Sequence, residues 1–192
     1  MIKINNLTKK YKDKLAVDNL NLEIKTGELF SLLGTNGAGK TTTIKMLSTL
    51  ILPTSGEVEI NNLDLVKDSS KIKEIINISP QETAVASNLT VLENLYFMAG
   101  IYQIPNKEDK IKELIKLFKL EEVLKQKAKT LSGGYQRKLS IAISLINNPK
   151  ILFLDEPTLG LDVISRHDLW KVIEALKGKT TIILTTHYME EA

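Results

Sequence analysis

Residues 34–41 read GTNGAGKT; a short apolar run, ELFSLL at residues 28–33, precedes them, and TTIKMLSTL at residues 42–50 follows, with Pro53 and Gly56 beyond it. The order is strand, glycine-rich turn, helix, which is the context that the pattern G-x-x-x-x-G-K-[ST] requires. Glycines let the backbone turn tightly, so that consecutive N–H groups converge on one point, and the helix that follows adds its positive end. Gly34, Thr35, Asn36, Gly37, Ala38 and Gly39 would line a cradle for a phosphate chain. In that cradle Lys40 would reach the β- and γ-phosphates, Thr41 would give a hydroxyl to Mg²⁺, and Thr42 would bond an α-phosphate oxygen. The plainer reading is a glycine-rich turn that caps a helix; the strand before it and the helix after it favour the cradle.

Working outward, Leu15, Val17, Leu20, Leu22 and Ile24 fall close to a two-residue period, so residues 1–33 read as strands. Further strand-like pieces are expected at residues 57–60 and 74–79. Between residues 82 and 130 the periodicity becomes helical, with Glu108/Lys112 and Glu121/Lys125 spaced i,i+4, and this stretch reads as an inserted helical lobe. Helical spacing resumes after Ser132, with Leu139, Ala142, Ile143 and Ile146 on one face, and stops before Pro149. The unalternating ILFL of residues 151–154 and TTIIL of residues 180–184 predict strands buried on both faces, as in a parallel sheet covered by helices, with a helix over 165–176 between them. The fold class is therefore α/β: a mostly parallel sheet flanked by helices, N-terminal β strands, and an α-helical insertion.

Composition excludes several other classes. With 43% hydrophobic and 26% charged residues the chain is ordinary globular material, and its formal charge of +3, from 26 basic and 23 acidic residues, is spread along the chain and gives no reason to invoke nucleic acid. The absence of cysteine removes disulfides and thiolate metal sites, and two histidines cannot build a structural zinc site. The N-terminus alternates and then turns basic, unlike an export signal, and no apolar run approaches the roughly 18–20 residues of a membrane span.

Asp155 and Glu156 follow the buried strand ILFL, at the sheet edge where a parallel α/β fold presents its ligands. Asp155 would hold Mg²⁺ through its water shell, and Glu156 would orient, or take a proton from, water attacking the γ-phosphate. Ser132, Gly133 and Gly134, in LSGGYQRK, open a helix and offer a hydroxyl and free backbone N–H groups. They read either as a serine N-cap with flexible glycines or as a second phosphate site. One triphosphate has little use for two such sites in one chain, so the economical arrangement closes this helix end over nucleotide held by another copy.

Taken in order, GTNGAGKT, Gln81, LSGGYQRK, ILFLDE, LGLD at residues 159–162 and His187 resemble the nucleotide-binding subunit of the ABC transporter family over nearly the whole chain. The resemblance implies a P-loop NTPase-like ABC ATPase core with N-terminal antiparallel strands: a single domain over 1–192, with a RecA-like core at 1–81 and 131–192 and a helical subdomain at 82–130. It implies ATP and Mg²⁺ as cofactors and ATP hydrolysis as the activity. It also implies that Tyr11 stacks on adenine, that Gln81 touches Mg²⁺ or the attacking water, that His187 contacts the γ-phosphate, and that Asp162 communicates across a dimer. Ser132 and Gly134 then bind the nucleotide of a second nucleotide-binding subunit. The resemblance further implies an integral membrane permease as partner and a cytoplasmic location, peripheral on the inner face of the cell membrane; no nucleic acid is expected. TVLENLYFMAGIYQIP, LGLD and TTHYMEEA together are similar to bacterial ABC-2 exporter-type subunits. The rival class is the non-transport ABC ATPase that acts on nucleic acid or ribosomes. Family domains continue beyond the Tyr-Met-Glu-Glu-Ala that follows His187, so the resemblance further implies a C-terminal truncation with exposed apolar surface.

Overall fold

The computed structural model describes residues 1–191; Ala192, the last residue of the TTHYMEEA stretch, lies outside them. The chain divides into two compact units. The first holds Met1–Ile78, Lys150–Glu156 and the chain from Lys177 on, and the second holds Ser79–Pro149 and Pro157–Leu176.

The first unit contains one sheet entirely and the other except for Ser79, the last residue of its edge strand. Strands β1 (Ile2–Tyr11), β2 (Lys14–Ile24), β4 (Ser55–Ile60) and β5 (Leu63–Asp64) form one sheet in the order β2-β1-β4-β5, with antiparallel pairing throughout. Strands β3 (Leu29–Leu33), β6 (Ile76–Ser79), β7 (Ile151–Asp155) and β8 (Thr181–Thr186) form the other, in the order β3-β8-β7-β6. β8 pairs in parallel with β3 on one side and with β7 on the other. This interior position explains why every residue of β7 and β8 is buried and why both lack alternation. Helix α1 (Lys40–Leu47) turns Ile44, Met46 and Leu47 into a core shared with Ile2, Ile4, Phe153 and Ile183. Each such side chain, fully removed from water, contributes about 1.5–3 kcal/mol.

The strand expected at residues 74–79 is half helix. Helix α2 covers Ser69–Ile75 and takes Glu74 and Ile75, leaving β6 to start at Ile76. Ile72, Ile75 and Ile76 are spaced i, i+3 and i+4, a helical stripe that also ends in a strand-like run, so local pattern alone placed the boundary too early.

In the second unit, α3 (Val91–Ile101) and α4 (Lys107–Phe118) pack beside α5 (Gly133–Ser144) and α6 (Val163–Ala175). Helix α3 starts with a capping box: Thr90 accepts from the Glu93 N–H, and the Glu93 carboxylate accepts from the Thr90 N–H at 2.7 Å. The backbone bond from Thr90, followed by its hydroxyl, holds the Glu93 carboxyl below its ordinary range. The i,i+4 pairing expected for Glu121 and Lys125 does not form an α-helical rung, because Glu121–Val123 is a 3-10 turn; Lys110 and Glu113 form the ion pair seen on α4, at 3.1 Å. Among the described residues no helix is long and apolar enough to cross a membrane.

Candidate functional site

Gly39 is the N-cap of α1 and sits at φ 86°, a left-handed conformation; a Cβ there would lie 2.2 Å from the Ala16 carbonyl oxygen. Glycine is therefore required on two counts, conformation and close approach to β2. Residues 35–38 form the exposed crest of the loop, closed by a bond from the Ala38 N–H to the Thr35 carbonyl. Lys40 lies beneath it, 8% exposed, and its ammonium donates to the carbonyls of Gly34 (2.6 Å) and Thr35 (3.1 Å).

Because β8 lies between β3 and β7, the segments that follow the three strands open along one edge of the sheet, and their side chains meet there. Asp155, at the end of β7, accepts through Oδ1 from the hydroxyl of Thr41 (3.1 Å) and from that of Thr185 (2.6 Å). The Thr185 Oγ1 in turn accepts from the Glu156 N–H at 2.9 Å. Thr185 is fully buried, so this one hydroxyl fixes both carboxylate-bearing residues in a medium where a lost bond is costly. Glu156 is held at φ 47°, an uncommon conformation for a residue with a side chain and one that functional sites collect. One of its carboxylate oxygens lies 3.5 Å from the Lys40 ammonium and the other 3.0 Å from Nδ1 of His187. Lys40, Thr41, Asp155, Glu156 and His187, proposed from separate stretches of sequence, thus share one connected network, to which Thr185 is an addition. Thr185 was hidden in the sequence because TTIILTTH reads as β-branched strand filler; the bond it makes is a tertiary fact.

A hydroxyl and a carboxylate 3.1 Å apart are hard oxygen donors of the kind Mg²⁺ takes. Among the described residues no group of three or more His, Asp or Glu side chains could hold a metal unaided. A two-donor site completed by phosphate and water suits a magnesium–nucleotide complex.

Tyr11 closes β1 at the β1–β2 hairpin, 45% exposed, with the Lys9 ammonium 5.1 Å above its ring. Its face is available for stacking, but no bond ties it to the loop of residues 34–39.

The remaining candidates belong to the second unit. Ser132 caps α5 by accepting from the Tyr135 N–H, with Ser132 and Gly133 both exposed. A Cβ on Gly134 would meet the Ser165 hydroxyl at 2.8 Å, so α5 and the start of α6 are in tight contact there. Asp162 caps α6, accepting from the N–H groups of Ile164 and Ser165 and from the Ser165 hydroxyl at 2.7 Å. The backbone bond from Ser165 is the main reason its carboxyl lies below the ordinary aspartate range. Arg137 is a residue the sequence reading passed over: 4% exposed, it donates to the carbonyls of Pro157 (2.8 Å), Pro80 (2.6 Å) and Gln81 (3.2 Å). It anchors the backbone at Gln81, and its place in the polar run YQRK disguised it as a solvated helix charge.

The family model for ABC transporters matches residues 17–159. The chain belongs to the ABC transporter family. The cassette is 42% identical over its full length to the phospholipid-transporting ATPase ABCA3 of Homo sapiens, covering 12% of that protein. It is 39% identical over its full length to the probable multidrug ABC transporter ATP-binding protein YbhF of Escherichia coli, covering 34%. The chain thus spans about a third or less of these curated relatives. Among solved structures, a dimeric post-hydrolysis state of the ATP-binding cassette MJ0796 bound to ADP and phosphate matches all of this chain and 90% of that one, with a TM-score of 0.87 and 32% identity. The α/β ABC ATPase cassette, with its antiparallel and parallel sheets and its helices, is the fold expected from the ordered motifs.

Proposed function

We propose that this chain binds ATP with Mg²⁺, hydrolyses it as one half of a cassette dimer, and drives a membrane permease. The observation that carries the reading is the network joining Thr41, Asp155, Thr185, Glu156 and His187 beside the residue 34–39 loop. In this reading the loop N–H groups and Lys40 hold the β- and γ-phosphates, and Tyr11 stacks on the adenine. Thr41, Asp155 and Gln81 would be the residues to hold magnesium, which would supply neutralisation of charge on the phosphate oxygens.

Glu156 orients the attacking water and takes its proton as the new bond to the γ-phosphorus forms and the bond to the leaving ADP oxygen breaks. His187, held by its Nδ1 contact to Glu156, turns the opposite ring edge to the γ-phosphate. Because catalysis of this kind is mostly positioning, the hydrogen bonds that immobilise Asp155 and Glu156 matter as much as their charge. The exposed Ser132 hydroxyl and Gly134 backbone reach the nucleotide of a second cassette, and Asp162 signals across that dimer. ATP then favours closure and ADP favours opening. The relatives named for phospholipid and multidrug transport support an exporter-type role with an amphipathic cargo, the cassette being peripheral to the inner face of the membrane through its permease.

The test is Glu156→Gln. It keeps the contacts to Lys40 and His187 but cannot take a proton, so turnover should fall by on the order of a hundredfold or more while ATP binding persists. Turnover at the parental rate would remove Glu156 from this role.

A further inference from the structure

Beyond β8 the chain makes a short turn whose geometry is unusual for an exposed segment. Met189 is 84% exposed and Glu190 is exposed too, yet Glu191 is 6% exposed, in a 3-10 turn. Its carboxylate Oε2 accepts from the Thr186 hydroxyl at 2.6 Å, and its carbonyl accepts from the Ser31 hydroxyl, on β3, at 3.0 Å. The Thr186 hydroxyl also accepts from the Tyr188 N–H at 3.0 Å, and the Glu191 N–H donates back to the Tyr188 carbonyl at 3.2 Å. His187 therefore sits between Thr186, whose hydroxyl is held by a buried carboxylate, and Tyr188, whose N–H donates to that same hydroxyl. The histidine ring is itself a third exposed; it lies against Tyr188, with centroids 4.1 Å apart, and puts Nδ1 at 3.0 Å from Glu156.

We propose that Glu191 is a positioning residue for the reaction, acting through Thr186 to hold the His187 turn so that the imidazole meets the Glu156 carboxylate. This rests on the hydrolytic reading above. The structure points to it because the ring, a third exposed, lies against Tyr188, whose N–H is held by the same Thr186 hydroxyl, so the clamp limits the backbone and rotamer states open to the histidine. The same residue is tied a second time through its main-chain carbonyl, which accepts from Ser31 on β3, the strand that feeds the phosphate loop. With Ser31 on one side and Thr186 on the other, Glu191 fastens the histidine turn to β3 and β8, two of the three strands whose ends carry the site.

The experiment is a cycle of Glu191→Ala, His187→Ala and the double variant in the full chain, reading kcat and KM for ATP, with the ring-nitrogen NMR signals of His187 as a readout independent of turnover. Glu191→Ala should lower kcat about tenfold or more, as loss of alignment does, with KM changed less than about twofold. In the His187→Ala background it should lower kcat no further. The His187 Nδ1 signal should move toward that of Glu156→Ala, which removes the contact, while Glu191→Gln and Thr186→Ser, which keep the acceptor and the hydroxyl, should stay near the parent. Additive losses in the double variant, an unmoved Nδ1 signal in Glu191→Ala, or a Thr186→Ser variant as impaired as Thr186→Val would overturn the proposal. Should Glu191→Ala fail to fold, Ser31→Ala carries the same expectation for the Nδ1 signal, and an unmoved signal there is equally fatal. A parent chain that turns over no ATP would sink the hydrolytic reading, while the ring signals would still decide the positioning.

Discussion

The two units hold their motif residues in opposite ways. In the first, Lys40, Asp155 and Glu156 are all nine-tenths buried or more, and the two acids are held together by the Thr185 side chain, brought from a distant part of the chain. In the second, Ser132, Gly133 and Asp162 are exposed at helix starts, and the buried work is done by Arg137 on backbone carbonyls. Buried, cross-linked polar groups suit chemistry, because they are aligned before substrate arrives. Exposed caps and bare N–H groups suit recognition of something outside the unit. The contrast is why the first unit is assigned the reaction and the second the contact with another cassette.

The sharpest way to break the contrast is Arg137→Met, which keeps much of the volume but strands three carbonyls. It should destabilise the protein by about 2–4 kcal/mol, a charged donor with several acceptors being worth more than a neutral one. Urea denaturation gives the number, and a loss under about 1 kcal/mol would show that the second unit does not depend on this anchor. Thr185→Val comes next. It is nearly isosteric, yet it leaves the Glu156 N–H without its acceptor and removes one donor from Asp155, so stability should fall by about 1–3 kcal/mol and turnover with it. If turnover survives intact, the network joining the two acids is packing rather than preparation for chemistry.

The smallest effect sharpens the comparison through pH. The Asp162 carboxyl titrates below its ordinary value in the folded chain, so the cap contributes stability that is present above the unfolded-state pKa and is lost as pH falls through the lowered folded one. Asp162→Ala should therefore be less stable than the parent near neutrality, with the gap closing in acid. Melting curves over the acid range that stay parallel would contradict this.

Much of this was legible in the sequence, and what was not has physical causes. ILFL and TTIIL announced interior strands because no solvent face imposes alternation on them, and β7 and β8 are buried throughout. GTNGAGKT announced its turn because Gly39 occupies a position no side chain could enter. The boundary at Ile76 was invisible because isoleucines at 72, 75 and 76 fit a helix face and a strand alike. Arg137, Thr185 and Glu191 were overlooked for one reason: each has a residue type that usually means solvent or strand, and each draws its role from a partner that only folding supplies.

The central claim is that the loop of residues 34–39, with Lys40 beneath it, holds the phosphates of a nucleotide. Calorimetric titration of magnesium ATP into the parent and into Lys40→Ala tests it most directly. The parent should bind, and the variant should bind at least about tenfold more weakly, the loss expected when a charged contact to phosphate is removed. Equal affinity in the two proteins, or a parent that takes up no ATP, would contradict the account.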